Sequence, residues 1–362
     1  MKKKKILMIV SLPPPVHGSN VVNNYIINNK VINRRYEIDV INYSFVNRVE
    51  EIGGIGLRKL LLMFYYILLI IKKILFHRPD LVYFPIVPYG VSFLRDALVV
   101  FVVKLFRIRL VYHLHGKGAV LYYKKLKWIY NHVYKNVSVI CLAEKLTSDI
   151  PFYKGTPFIL NNGIENLNIP KKINHHDIPN ILYLSNFIES KGILVLLEAL
   201  AIVAKDLPNS FTVTLIGAYS KQITKTFLEN NIKEKKLNKY VNLLGPKYRE
   251  DKISYFQNAD IFVFPTYNDC FPLVLLEASQ FSLPLVSTYE GGIPSIIRDG
   301  VTGFLTKQKD ARDLADKLKL LIRDKELRIK MGAAAKKRFE ERYTLEKFED
   351  SFCNIIDQII YK

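Results

Sequence analysis

The sequence predicts an α/β protein built from two parallel-sheet domains. Three observations carry that prediction. Short apolar runs alternate with helical patterns along the whole chain, and the runs are near-continuous instead of alternating, as expected of strands covered on both faces. At 362 residues and 49% hydrophobic content the chain exceeds the size at which one core stops growing, so two domains of about 170 to 180 residues are expected. A polar stretch, Glu165 to Pro179, holds Lys171-Lys172, His175-His176 and two prolines and reads as the linker. The expected domains are therefore 1–168 and 177–342, with a final helix over 343–362.

In the first half the strands are read at Lys5 to Val10, Tyr36 to Tyr43, Leu81 to Phe84, Leu110 to His115, Ser138 to Cys141 and Pro157 to Leu160. In the second they fall at Asn180 to Ser185, Thr212 to Ile216, Val241 to Leu243, Ile261 to Phe264 and Pro284 to Ser287. The basic start, Lys2 to Lys5, precedes only Ile6 to Val10 before Ser11 and three prolines. That apolar run is too short for a signal-peptide core and suits a first buried strand. Cys141, Cys270 and Cys353 give no disulfide framework or zinc spacing, which favours a reducing cytoplasm. The adjacent His175-His176 have no third ligand near them in sequence and read as solvated linker residues.

The net charge of +20 is uneven. Residues 1–175 carry 26 Lys and Arg against 9 Asp and Glu, a net +17, whereas residues 176–362 carry 27 against 24, a net +3. Such a field suits nucleic acid, an anionic membrane or a phosphorylated substrate, or reflects a lysine-rich composition. With no zinc-finger spacing, no aromatic RNA-binding strand motif and no helix with a dedicated basic face, nucleic acid is not expected as a partner. The run Leu60 to Ile71, between Arg58-Lys59 and Lys72-Lys73, is shorter than the roughly 20 residues needed to span a bilayer. This run and a second, Val91 to Leu110, can lie against an anionic membrane surface, pack on a sheet, or do both.

Clefts in open parallel sheets form beyond the carboxyl ends of strands, which directs attention to the loops there. Phe264 to Ala278 sets Asp269 and Glu277 on either side of a helix begun by Pro272. The amides from Cys270 through Phe271 and Leu273 to Val274 would then offer N–H groups to a diphosphate, and the carboxylates would accept from sugar hydroxyls. A strand, loop and capped helix with solvated acids would carry the same residues. Glu290-Gly291-Gly292 follows as a glycine turn, then Arg298-Asp299-Gly300-Val301-Thr302-Gly303-Phe304-Leu305.

Taken together, Phe264 to Leu305 resembles the donor-site signature of glycosyltransferase family 4, retaining enzymes of the GT-B fold. The resemblance implies two Rossmann-like domains facing across a deep cleft, with the helix at 343–362 crossing back to the first. The family's two acids with seven residues between them correspond to Asp269 and Glu277. Asp269 stands where Glu is usual, and Cys270 where Gly is usual. In the first half, Gly18 lies in a loop like the family's first-domain loop, although its second glycine is Ser19. His115 with Gly116 matches the histidine near the reacting sugar, while His113 reads as a core histidine. Asn162-Gly163 is similar to the family's Asn-Gly turn. In the second half Lys191 sits before a helix N-terminus, where it would help neutralise a leaving diphosphate, and Asn186 occupies a position usually held by Arg. Gly217 and Lys247 resemble residues bordering the nucleotide.

The implied activity moves a hexose or N-acetylhexosamine from a UDP- or GDP-linked sugar to a saccharide acceptor, with retention. His115, Asp269 and Lys191 are the expected catalytic residues. Glu277 would hold the ribose and Asp269 the donor sugar, and the leaving phosphate would take the acceptor proton. Domain closure would exclude water. No Asp-X-Asp motif occurs, so neither a metal nor another cofactor is expected. The basic first half points to a polyprenyl-diphosphate-linked acceptor at the cytoplasmic membrane face, as in surface polysaccharide assembly. A catalytically silent subunit and a GT-B-like sugar-nucleotide epimerase remain open alternatives.

Overall fold

Apolar strands buried from both sides need helices on both faces, and the chain supplies them twice. The computed structural model describes residues 3–14, 18–45, 57–169, 178–247 and 249–361. The loop residues 15–17 and the paired histidines at 175–176 lie outside this set. Two compact units are present, Met1–Asn162 with Phe348–Lys362, and Gly163–Lys347.

In the first unit the strands are β1 (Lys4–Val10), β2 (Tyr36–Asn42), β3 (Leu81–Phe84), β4 (Arg109–Leu114), β5 (Ser138–Cys141) and β6 (Phe158–Ile159). They form one parallel sheet in the order β2-β1-β3-β4-β5-β6. The helices are α1 (Gly18–Asn28), α2 (Lys30–Arg35), α3 (Leu57–His77), α4 (Gly90–Leu105), α5 (Ala119–Tyr123) and α6 (Lys127–Val133). Alternation along β1 explains the continuous apolar run. Leu7 and Ile9 enter a core with Ile70 of α3 and Val100 of α4, while Ile6, Met8 and Val10 enter another with Ile26 of α1.

The second unit holds β7 (Asn180–Leu184), β8 (Thr212–Ile216), β9 (Val241–Leu244), β10 (Ile261–Phe264), β11 (Leu285–Thr288) and β12 (Gly303–Thr306), in the order β12-β11-β10-β7-β8-β9. Its helices are α7 (Ile193–Asp206), α8 (Lys225–Glu234), α9 (Ile253–Asn258), α10 (Leu273–Gln280), α11 (Ile293–Ile296), α12 (Ala311–Arg323) and α13 (Lys325–Arg342), after which α14 (Leu345–Tyr361) leads back into the first unit. β12 is a strand that the sequence reading leaves as loop. It is four residues long and starts at Gly303, whose φ of +150° and close approach to the Leu285 carbonyl require glycine.

Two apolar stretches differ from expectation. Leu60 to Ile71 belongs to a 21-residue helix, α3, which is about 31 Å long and so matches the hydrocarbon thickness of a bilayer. One stripe of it, Met63, Tyr66, Ile70 and Ile74, is nonetheless packed into the first unit's core. The stretch 91–110 is divided. α4 ends at Leu105, Arg107 turns at φ 55°, and β4 begins at Arg109.

α14 contributes Phe348, Phe352, Cys353 and Ile356 to the core on the α1 side of the first sheet. The Tyr36 hydroxyl donates to Asp357 at 2.6 Å and reaches the Cys353 carbonyl at 3.0 Å. Burial pushes the Tyr36 hydroxyl pKa upward, with the Asp357 hydrogen bond second. Ile356 is fully buried. Ile356→Ala is expected to cost about 2–5 kcal/mol, read as a lower denaturant midpoint for the first unit's unfolding transition.

Candidate active site

Numbered from its own first strand, the second sheet runs 6-5-4-1-2-3, the doubly wound order whose direction of winding reverses between the first and fourth strands. That point lies between β7 and β10. Loops leaving such a pair of strands diverge to opposite faces, and that is where doubly wound sheets take their ligands.

The two loops are clamped by backbone contacts. The Ser190 carbonyl accepts from the Tyr267 N–H at 2.9 Å and from the Thr266 hydroxyl at 2.9 Å. Gly192, at φ 81°, is the residue before α7, and a Cβ there would lie 2.0 Å from the Pro265 carbonyl oxygen. The clamp brings Lys191, from the β7 loop, to Asp269, from the β10 loop. Nζ lies 2.6 Å from Oδ2 and 3.3 Å from the Asn268 carbonyl. Both side chains are about one-fifth exposed, so water reaches one side of the pair.

The glycine turn after β11 supports Asp269 from behind. Gly291, at φ 49°, leaves no room for a Cβ, which would sit 2.2 Å from the Asp269 carbonyl oxygen. The Gly292 N–H donates to the Cys270 carbonyl at 2.6 Å, and the Asp269 N–H donates to the buried Glu290 carboxylate at 3.2 Å. Glu290 accepts also from Gln308 at 2.6 Å. α10 starts at Leu273, one residue later than expected, with Pro272 as its cap. Leu273 and Val274 stand in its first turn, where N–H groups lack intrahelical partners. Glu277 is one turn in, and its Oε1 receives Lys252 Nζ at 2.5 Å. Each acid of the pair therefore faces one lysine.

Lys252 is the residue that sequence reading passes over. It sits at the start of α9, 25 positions before Glu277 and outside any motif, and only the tertiary fold brings them together. The second unit thus holds two lysines at its acids although Asn186, exposed after β7, carries no charge. Gly217 follows β8 and is fixed by the Ser185 carbonyl, which a Cβ would approach to 1.9 Å. Lys247 follows β9 and is partly exposed. Cys270 is partly exposed, and Phe271 is buried edge-on to Tyr343 at 5.9 Å. Among the described residues no three His, Cys, Asp or Glu side chains are grouped for a metal.

In the first unit His115 follows β4, its ring 4.1 Å from that of His113. His113 is fully buried, and its Nδ1 lies 2.6 Å from the Tyr83 hydroxyl. Gly18 opens α1 in open space, and Asn162 is buried after β6.

Residues 165–338 match the family described as "Glycosyl transferases group 1". The matched span is just under half of the chain and lies within the second unit. The "Capsular polysaccharide biosynthesis glycosyltransferase CapM" of Staphylococcus aureus is 28% identical over 223 residues, 61% of this chain and 55% of CapM. The matched parts of the first curated relatives are 35% to 64% of those proteins' own lengths. A glycosyltransferase of Rickettsia africae ESF-5 superposes with a TM-score of 0.77 at 18% identity, covering 99% of both chains. Anabaena Alr3699/HepE, solved in complex with UDP-glucose, gives 0.71 at 18% identity, covering 98% of this chain and 99% of its own. The two sheets and their helices are thus those of the GT-B fold.

Burial, with the charge of neighbouring His115 second, holds the His113 imidazole well below its ordinary pKa. The unfolded chain takes up a proton there near pH 6.5, while the folded chain does not. Stability therefore falls as pH drops through 6.5, by at most about 1.4 kcal/mol per pH unit from this group. His113→Gln is expected to lose part of the melting-temperature difference between pH 7.5 and pH 5.0; an unchanged difference would place that dependence elsewhere.

Proposed function

We propose that the chain is a retaining glycosyltransferase that uses a nucleoside-diphosphate sugar as donor. The observation that carries this reading is the pair of lysine–carboxylate contacts, Lys191–Asp269 and Lys252–Glu277, set beside the switch point of a doubly wound sheet in the family's matched half. In the free protein each ammonium is neutralised by an acid. A diphosphate entering between the loops offers Lys191 and Lys252 stronger anionic partners, and releases Asp269 and Glu277 to accept from sugar and ribose hydroxyls. Lys191 then meets the charge that develops on the leaving diphosphate, aided by the first-turn amides of α10. His115 contacts the transferring sugar, the leaving phosphate takes the acceptor proton, and no divalent ion takes part. A relative named for capsule synthesis supports a role in surface polysaccharide assembly, and a structural neighbour solved with UDP-glucose supports a hexose donor, with an N-acetylhexosamine as the alternative.

A silent subunit that binds donor without turnover is the second reading, favoured by Asn186 and Cys270 at positions where the family resemblance implies Arg and Gly. Thermal shifts with UDP, GDP and their sugars separate the two when combined with product analysis. A nucleotide at a hundred times its Kd adds about 2.7 kcal/mol of stability. Glu277→Ala is expected to weaken that nucleotide at least about tenfold, and Lys191→Ala to slow transfer with a smaller effect on binding. EDTA should change neither. Binding without glycoside product from any acceptor would establish the silent subunit.

The acceptor in this reading is lipid-linked, and the protein works on the cytoplasmic face of the membrane. Support comes from α3, whose outer face exposes Leu57, Leu61, Phe64, Leu68 and Phe76 beside the exposed Arg58 and Lys72. Lys73 points inward to Asp39 at 2.5 Å and is not part of this face. Arg58→Glu with Lys72→Glu should cut binding to vesicles containing phosphatidylglycerol several-fold and leave nucleotide shifts intact. Equal vesicle binding would remove the membrane from the reading.

A further inference from the structure

The first unit contains a cavity of about 780 Å³, within the range of roughly 300–1,000 Å³ typical of ligand pockets. It lies at that sheet's own switch point, where β1 and β3 send their loops apart. Its two ends differ in chemistry. At one end it is walled by α3 and α4 with Leu60, Met63, Val91, Leu94 and Leu98. Of these, Leu60, Val91 and Leu98 are at least half exposed, so the cavity reaches the surface beside the apolar outer face of α3. At the other end it is lined by Ser11, Asn20, Asn23 and His115.

Among its lining residues the charged side chains besides His115 are Lys59, Arg95 and Asp96. Asp96 is almost fully buried, and both its oxygens are engaged. Its Oδ1 faces Arg95 Nε at 2.8 Å and Nη2 at 2.7 Å, and its Oδ2 accepts from the Val87 N–H at 2.9 Å. The Arg95 guanidinium is held against the cavity's aromatic wall, 5.1 Å from the Tyr43 ring and 4.5 Å from that of Phe45. A guanidinium carries five N–H donors, so the two nitrogens facing Asp96 do not exhaust it. An apolar channel that opens on an apolar surface, holds a fixed arginine with a lysine at its wall, and ends in polar groups beside a histidine matches an amphipath laid along it. A soluble saccharide would leave the apolar end without a partner.

We propose that this cavity binds the acceptor's hydrocarbon chain, with Arg95 and Lys59 on the phosphate that joins chain to sugar. The proposal deepens the transferase reading and rests on it for the word acceptor. The binding itself can be measured without any transfer. Burying a hydrocarbon chain outweighs a single phosphate contact, so affinity depends first on the chain.

The test uses the full chain and calorimetry with farnesyl diphosphate and dodecyl phosphate, each below its micelle concentration, against inorganic diphosphate. Expected is one molecule of either amphipath per chain in the presence of saturating inorganic diphosphate, with a negative heat-capacity change that inorganic diphosphate alone does not produce. A preference for farnesyl or for dodecyl supports the site and names the chain as isoprenoid or straight. Leu94→Trp, or Val91→Trp if the first does not fold, should weaken both at least tenfold. Arg95→Gln should weaken farnesyl diphosphate tenfold while leaving farnesol unchanged. Absence of binding, or full affinity in the tryptophan variants, overturns the cavity assignment; an equal loss for farnesol and its diphosphate in Arg95→Gln overturns the phosphate role. A UDP shift measured on the same variants reads the second unit alone, so loss of the donor reading and loss of this one are told apart.

Discussion

The site in the second unit depends on a single carbonyl. Ser190 accepts from both the backbone and the side chain of the β10 loop, and so ties two loops that topology drives to opposite faces of the sheet. The chemistry of the site hangs on that tie. Gly192 permits the approach because it has no Cβ, Lys191 stands just before Gly192, and Asp269 lies three residues past Thr266. The ion pair between them is partly in water and contributes little to stability by itself. Its value is positional, since the backbone contacts fix both ends before any ligand arrives and leave little reorganisation for the moment of binding.

Much of this site can be read from sequence because it is local. The apolar strand β10, Pro272 at a helix start, the acid one turn into α10 and the glycine turn at Gly291 all lie within about thirty residues, and their spacing constrains them. Buried parallel strands such as β1 and β10 announce themselves as apolar runs, because each face of the strand meets a core. β12 does not, because a four-residue strand opening with glycine has the composition of a turn. Lys252 is illegible for a different reason. Its role follows from a tertiary contact between segments 25 residues apart, and no local pattern encodes that. The length of α3 is hidden by the lysines near its end, which interrupt the apolar run but not the helix.

The histidines show how geometry separates residues that sequence leaves alike. His113 and His115 are two apart at one strand end and share a side of the sheet. That step of two positions decides their chemistry. His113 is closed off against Tyr83 and kept neutral by burial, which suits a packing role. His115 is past the end of β4 and lines the large cavity, where a side chain can meet a ligand.

The uneven charge of the chain acquires a physical reading from these features. A surface that exposes Leu57, Leu61 and Phe64 would associate with any apolar partner, including other copies of itself, if nothing else discriminated. Basic residues at its edge add a preference that area alone cannot supply, because they favour anionic headgroups and repel like-charged copies. The second unit needs no such bias under the proposed reading. Its two lysines are matched by two acids, and a nucleotide sugar would be held by a few placed contacts instead of by a broad field. Under that reading, the division of +17 and +3 between the halves of the sequence fits two different ligands, one approached as a surface and the other as a small molecule.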